Sequence, residues 1–277
     1  MTPDPRFLAE ALAVAQRAAD AAEGEVMPRW RARDFAVETK ADATPVTEVD
    51  RAAEEAIRRV LRAAYPRHGM FGEEAGREGG GDFLWLIDPI DGTRSFVRGY
   101  PMFSTQIALM HEGEIVLGVS AAPAYGERAW AVRGGGAFLG STARDGRRLR
   151  VADARAFDAE AAVSTGNLKS LAASPARWAA YADIVRRVGR IRGYGDFLHY
   201  HLLARGAIDL VIESDLNILD IAPLVLIVRE AGGVFTDLEG RDVGLETTSA
   251  LAGGAVLHAR AVELFAGARD EGLGARG

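Results

Sequence analysis

The sequence predicts a mixed α/β protein built in two textures, and three observations support this. Apolar residues at helical spacing dominate up to Ala64. Four short β-rich runs then lie between Ser104 and Val151, and after about residue 155 helical and strand patterns alternate. The first texture reads as an α+β half, residues 1–155, centred on an antiparallel meander. The second reads as an α/β half, residues 156–277. No linker-like stretch separates them, so one rigid unit is expected.

The elements follow in order. Phe7, Leu8, Ala11, Leu12 and Ala15 begin a helix that runs to about Trp30. Val49, Ala52, Ala53, Ala56, Ile57, Val60, Leu61 and Ala64 trace a clearer helical stripe, with Thr47 as N-cap and Tyr65-Pro66 as the stop. A Gly- and Glu-rich loop, 68–82, leads to a short apolar strand, 83–87. Runs 104–110, 114–120, 128–132 and 148–151 are strands, separated by turns such as His111-Glu-Gly113 and Asp145-Gly146. Beyond residue 155, Ser174 caps a helix over 175–188 whose first residue is Pro175. A helix over 196–204, a strand over 208–212, a helix from Asp220 to Ala231, strands over 233–236 and 255–258, and a last helix complete the chain.

Composition narrows the function classes. The 277 residues carry 33 Lys and Arg against 39 Asp and Glu, a net charge of −6, with 48% hydrophobic and 26% charged residues and no cysteine. The absence of cysteine excludes disulfide scaffolds, thiolate metal sites and Cys nucleophiles. A modest negative charge argues against broad nucleic-acid binding. No apolar run reaches the ~18 residues of a membrane span, and the first residues lack a signal-peptide layout, so a cytoplasmic protein is expected.

The chemistry concentrates in Trp85-Leu-Ile-Asp-Pro-Ile-Asp-Gly-Thr-Arg-Ser-Phe96. An apolar strand runs up to Asp88, and Pro89 is expected to stop it, so that the chain turns before Asp91. Across that corner Asp88 and Asp91 can converge, and the Ile90 carbonyl adds a third hard oxygen. An oxygen-only set suits Mg²⁺ or Mn²⁺ rather than zinc. Gly92 and Thr93 follow, where backbone N–H groups can open a helix and seat a phosphate. Glu73, in Gly72-Glu-Glu74, is placed to supply a further ligand, and Asp220 opens a later helix as either an N-cap or a ligand. The Glu230-Ala-Gly-Gly233 segment reads as a helix C-terminus.

Taken in order, Gly72-Glu-Glu74, Asp88-Pro-Ile-Asp-Gly-Thr93 and Asp220…Glu230-Ala-Gly-Gly233 resemble the inositol monophosphatase superfamily of Mg²⁺-dependent, lithium-sensitive phosphatases. The resemblance extends from Thr39-Lys-Ala-Asp42 to about His258. It implies an αβαβα layered sandwich, a homodimer, and hydrolysis of a small phosphate monoester by a metal-activated water. By that resemblance Glu73, Asp88 and the Ile90 carbonyl hold one Mg²⁺, while Asp88, Asp91 and Asp220 hold a second. Glu73 would hold a loose third ion, and Mn²⁺ is a possible substitute. Thr93 with Glu73 orients the water, and the Gly92 and Thr93 amides bind phosphate. Two departures stand out: Leu219 where the family usually has Trp, and Pro223 where a small residue is common.

Within the superfamily, Arg192-Gly-Tyr-Gly-Asp-Phe-Leu198 and Arg94-Ser-Phe-Val-Arg98 are similar to the histidinol-phosphatases of histidine biosynthesis. L-Histidinol carries an amine and an imidazole, so its pocket should offer carboxylates. Asp196 and Glu213 are the candidates, with Asn167 a weaker one. The open alternatives are a helix N-cap for Asp196 and a surface strand end for Glu213. Lysine occurs only at positions 40 and 169, so Lys40, in the Thr39–Asp42 loop, is a candidate for a compact ammonium near metal or phosphate. Asp50 could order a metal-bound water or face solvent. His199 and His201 are poor co-ligands at their spacing on a helix, Arg147-Arg-Leu-Arg150 reads as an exposed strand face, and Gly134-Gly-Gly136 as a turn. The expected activity is Mg²⁺-dependent histidinol-phosphate hydrolysis. The alternatives are an inositol-1-phosphate or broad sugar-phosphate phosphatase and, outside enzymes, a regulatory binding protein that kept the fold.

Overall fold

A computed structural model describes residues 3–39, 45–142 and 145–270. In chain order the elements are α1 (Pro5–Ala32), β1 (Val37–Thr39), β2 (Pro45–Thr47), α2 (Glu48–Ala64), β3 (Gly69–Gly72), β4 (Gly76–Glu78), β5 (Phe83–Asp91) and α3 (Thr93–Arg98). Then come β6 (Ser104–His111), β7 (Glu114–Ala122), β8 (Glu127–Val132), β9 (Gly136–Gly140), β10 (Arg147–Arg148), β11 (Ala162–Thr165), α4 (Lys169–Ala172) and α5 (Pro175–Arg187). The chain closes with β12 (Arg190–Arg192), α6 (Asp196–Ala204), β13 (Leu210–Ser214), α7 (Ile218–Glu230), β14 (Val234–Thr236), β15 (Ser249–Gly253) and α8 (Ala255–Asp270). Packing divides it into two units, Met1–Arg148 with Leu219–Glu230, and Leu149–Ile218 with Ala231–Gly277. Most of α7 therefore belongs with the first unit although it lies late in the sequence.

The first unit is built on an eight-stranded sheet of order β10-β9-β8-β7-β6-β5-β3-β4, antiparallel except where β3 runs parallel to β5. Small residues on α1 (Ala11, Ala15, Ala18, Ala19, Ala22) share a buried cluster with Val49, Ala53, Ile57 and Leu61 of α2 and with Leu117 and Val119 of β7. Strand side chains alternate between faces, so Gly118, between those two, looks out of the other face. A Cβ there would lie 2.7 Å from Pro223 Cα. Helix α7 thus rests flush on the bare Gly118 backbone, opposite the α1–α2 layer. Thr47 begins α2 with a capping box: its hydroxyl accepts from the Val49 and Asp50 amides at 3.1 and 3.3 Å, and Asp50 Oδ2 accepts from its amide at 2.8 Å.

The second unit holds a five-stranded sheet of order β12-β11-β13-β15-β14, in which β12, β11 and β13 run parallel. Leu210 and Ile212 of β13 pack with Ile184 of α5 and with Leu257, Ala261 and Phe265 of α8. By the same alternation Glu213 looks to the opposite side, where Tyr200 of α6 stacks on Phe235.

Several sequence expectations are corrected. The segment expected as a loop over 68–82 contains strands β3 and β4, because Gly69–Gly72 pairs in parallel with Leu84–Ile87. Strand β5 continues through Pro89 to Asp91, since Pro89 sits at a register shift where no ladder donor is required. The run 255–258 opens α8, and the strand lies earlier, β15 at Ser249–Gly253, between β13 and β14. Strand β10 ends at Arg148, and α7 starts at Ile218 rather than at Asp220.

Candidate active site

Residues three apart on a regular strand point to opposite faces. On β5, Asp88 pairs with Gln106 and Asp91 with Ser104, so three steps on one strand match two on its neighbour. This bulge returns Asp91 to the face that Asp88 occupies. The Pro89 carbonyl accepts from Thr105 Oγ1 at 2.8 Å, and the Ile90 amide donates to Asp88 Oδ1 at 3.0 Å, which fixes one oxygen of that carboxylate. Asp91 Oδ2 accepts from Ser104 Oγ at 3.0 Å, and Ser104 in turn accepts from Gln106 Nε2 at 2.7 Å. Asp220, in the first turn of α7, completes the group: carboxylate oxygens of Asp88, Asp91 and Asp220 lie within 4.8 Å of one another.

The remaining first-unit candidates surround this trio. Gly72 pairs with Ile87 in the parallel ladder and the Glu73 amide donates to the Ile87 carbonyl at 3.1 Å, so Glu73 sits across from Asp88. The Glu73–Glu74 turn is held by Glu54, which accepts from the Glu74 and Ala75 amides at 2.7 and 3.2 Å and is paired with Arg58 at 2.7 Å, both side chains 2% exposed. Gly92, at φ 86°, is the N-cap of α3, where a Cβ would stand 2.6 Å from the Met102 carbonyl oxygen, so only glycine fits the corner. Thr93 Oγ1 lies 3.0 Å from the Ile90 carbonyl and 3.2 Å from Asp50 Oδ1. Asp50 is fully buried and does not face solvent.

Electrostatics marks the centre. Burial, and then the charges of Glu73, Asp91, Asp220 and Asp50, hold the Asp88 carboxyl well above the usual carboxylate range. Burial also raises Asp50; hydrogen bonds from Thr47 and Thr93 oppose the rise and repulsion from Glu73 adds to it. Buried carboxylates converging with an all-oxygen donor set fit a hard divalent cation, which would relieve the repulsion that now favours protonation.

The second unit carries the other candidates at one edge. Asn167 follows β11, Asp196 follows β12 and Glu213 lies near the end of β13, all at the carboxyl ends of the three parallel strands. That edge is where open α/β sheets bind ligands. Glu213 is 8% exposed, so it is not a surface strand end. Its Oε2 accepts from Tyr200 at 2.7 Å and lies 3.1 Å from His199 Nε2. Asp196 is the first residue of α6, and Gly195, not Asp196, is the N-cap. Burial and then the Glu213 charge, partly offset by His199, push the Asp196 carboxyl up to about 6. Asn167 is exposed and its side chain accepts from the Lys169 amide at 3.4 Å. Lys40 lies outside the described residues. Sequence reasoning missed the supports Ser104, Gln106, Glu54 and Arg58, whose types carry no motif. For Asp50 a signal was present, since Thr47-x-x-Asp50 has capping-box spacing.

The carboxylate trio, with Asp88 and Asp91 buried and Asp220 half-buried, and the layered α+β fold define a metal-dependent phosphoric monoester hydrolase once set beside known proteins. The inositol monophosphatase family matches residues 8–270. A histidinol-phosphatase of Streptomyces coelicolor is 43% identical over 251 residues, 89% of this chain and 93% of that protein. One from Mycobacterium tuberculosis is 40% identical over 261 residues, 93% and 96% of the two chains. An inositol-1-monophosphatase of Rhizobium meliloti is 38% identical over 232 residues, 80% and 85% of the two. The crystal structure of the extragenic suppressor protein suhB from Bartonella henselae aligns with a TM-score of 0.82 at 30% identity, covering 92% of this chain and 98% of that one. The chain belongs to the inositol monophosphatase family. Among the described residues, no helix is long and apolar enough to cross a membrane.

Proposed function

We propose that the protein hydrolyses L-histidinol phosphate to L-histidinol and inorganic phosphate, a step of histidine biosynthesis, with Mg²⁺ as the metal. The observation that carries the substrate reading is the likeness, at 43% and 40% identity over nearly the whole chain, to two histidinol-phosphatases. The carboxylates Asp196 and Glu213 at the parallel-strand edge support it, because they suit an amine and an imidazole. Asp88, Asp91 and Asp220 would hold Mg²⁺, with Glu73 and the Ile90 carbonyl as further ligands and room for two to three ions in all. Bound there, Mg²⁺ would lower the pKa of a water and neutralise charge on the phosphate oxygens.

The chain's own residues set the geometry. The Thr93 hydroxyl has one proton to give and two acceptors for it, Asp50 Oδ1 and the Ile90 carbonyl. Its oxygen lone pairs are therefore free to accept a proton from the attacking water, with Glu73 as the second acceptor. Gly92 and Thr93 present their amides at the start of α3 to the phosphate. The water oxygen forms the new bond to phosphorus and the bond from phosphorus to the substrate oxygen breaks. Thr93 takes one water proton as it passes its own to Asp50, the other stays on the phosphate, and the leaving alcohol oxygen takes up one proton returned through solvent.

A second reading, inositol-1-phosphate or a broad sugar-phosphate range, is favoured by the 38% identity to an inositol-1-monophosphatase. Phosphate release from the two substrates, each with Mg²⁺, with Mn²⁺ and with EDTA, separates the readings. We expect metal-dependent turnover of histidinol phosphate at least ~100-fold better in kcat/KM, about 2.7 kcal/mol of discrimination. Comparable rates would leave a general phosphatase. We take the working form to be a cytoplasmic homodimer, as the family resemblance implies. Light scattering on the purified protein, giving twice the chain mass, would support the dimer.

A further inference from the structure

Glu213 is held from one side only. Tyr200 donates to its Oε2 at 2.7 Å, and His199 Nε2 reaches the same oxygen at 3.1 Å. The other imidazole nitrogen, Nδ1, lies 3.4 Å from Ser164 Oγ, which accepts from the Tyr194 amide at 3.2 Å. That order fixes the proton positions. The Glu213 carboxylate can only accept, so Nε2 carries the ring proton and donates to it, and in the neutral ring Nδ1 then accepts from the Ser164 hydroxyl. Ser164, His199 and Tyr200 are all buried, at 0%, 0% and 1% exposure. Glu213 Oε1 takes neither of these donors and lies over Gly166, where a Cβ would come within 1.8 Å of it. Tyr194 stands two residues before Asp196, so one chain of hydrogen bonds ties the segment bearing Asp196 to the Glu213 carboxylate.

We propose that His199 and Tyr200 are positioning residues for substrate selection: they lock Glu213 with Oε2 committed to the protein and Oε1 presented to the alcohol part of the substrate. Their effect is on which phosphate ester is preferred, not on the hydrolytic step. This rests on the reading of Glu213 as a substrate acceptor. The buried chain makes that acceptor rigid, and a rigid carboxylate discriminates between donors that a mobile one would accommodate equally. Asp196, close enough to Glu213 to feel its charge, gives the second carboxylate at a set spacing.

The test uses the full-length protein with Mg²⁺ and three substrates: L-histidinol phosphate, inositol-1-phosphate and p-nitrophenyl phosphate, which has neither an amine nor a sugar hydroxyl. Tyr200→Phe removes the hydroxyl and keeps the ring that stacks on Phe235. We expect KM for the preferred natural substrate to rise ~10-fold or more with kcat held within ~2-fold, as loss of a hydrogen bond to a charged group would give. The p-nitrophenyl phosphate constants should stay put. His199→Leu should act in the same direction. Combining Tyr200→Phe with Glu213→Gln should add nothing to Glu213→Gln alone, because both act on one acceptor. Additive losses, or an equal fall on all three substrates, would overturn the proposal. If Glu213→Gln itself leaves substrate preference unchanged, the reading of Glu213 falls. If Glu213→Gln shifts preference and Tyr200→Phe does not, only the positioning role falls.

Discussion

The Asp50 carboxylate stands 3.2 Å from the Thr93 hydroxyl, 43 residues away in sequence, while its other oxygen closes the capping box of helix α2. The end of α2 is thereby fastened to the Gly92-Thr93 corner at the start of α3. One side chain thus closes a helix cap with one oxygen and accepts from the Thr93 hydroxyl with the other.

Thr93→Ala should lower kcat by ~10²–10³ with a small change in KM, the usual scale for losing a group that takes a proton in the transition state. Thr93→Ser keeps the hydroxyl and should retain most of the rate. Steady-state kinetics on the preferred substrate checks both. If Thr93→Ala turns over at the wild-type rate, the water is oriented by other groups.

The raised carboxyls of Asp88 and Asp50 make stability depend on pH and metal together. A carboxyl whose folded pKa lies above its unfolded value contributes stability that is fully present below the unfolded pKa. That stability is lost as pH rises through the folded pKa. In EDTA, Asp88→Asn should therefore gain in Tm relative to wild type as pH rises from 5 to 8. Mg²⁺ should raise the wild-type Tm at pH 8 and do little for the variant. Thermal melts in the two conditions read this directly, and a difference independent of pH would contradict it.

Gly118→Ala should damage a site whose carboxylates it never touches. The added methyl meets Pro223 backbone at 2.7 Å, so helix α7 must lift and take Asp220 with it. Overpacking of this kind costs ~1–3 kcal/mol in stability. The distinctive sign is a rise in the Mg²⁺ concentration needed for half-maximal activity, measured by titration after chelation.

Asp196 is strained in two ways. It has a positive φ of 44° without being glycine, and its carboxyl sits near 6 through burial and the Glu213 charge. Asparagine tolerates that backbone region and carries no charge. Asp196→Asn should match wild-type Tm near pH 4–5 and exceed it above pH 7, since the raised carboxyl's contribution is lost as pH rises through about 6. A variant less stable than wild type at pH 8 would count against this.

The candidate metal centre was legible because its residues announce themselves by type and order: carboxylates at 88, 91 and 220, with the Gly92-Thr93 turn. What the sequence did not show is how Asp88 and Asp91 come to share a face. Pro89 suggested a stop, whereas the strand absorbs it as a bulge against Gln106 and Ser104. The choice depends on β6, which local patterning cannot see. Strand β3 was hidden for a similar reason, since Gly69-Met-Phe-Gly72 has little strand character of its own and is fixed by its parallel partner. The run at 255–258 misled because apolar residues at the start of α8 imitate a short buried strand. The contacts of Glu213 with His199 and Tyr200 join neighbouring elements α6 and β13, and no spacing rule reports them.

Helix α7 has a consequence for how the molecule is made. Residues Leu219–Glu230 complete the first unit, yet the ribosome delivers them only after Leu149–Ile218 has emerged. Until then one face of the large sheet lacks its cover over Gly118, and Asp88 and Asp91 lack their third carboxylate. Vectorial synthesis therefore cannot finish the first unit first, and the newborn protein stays without its full carboxylate trio until α7 has left the tunnel.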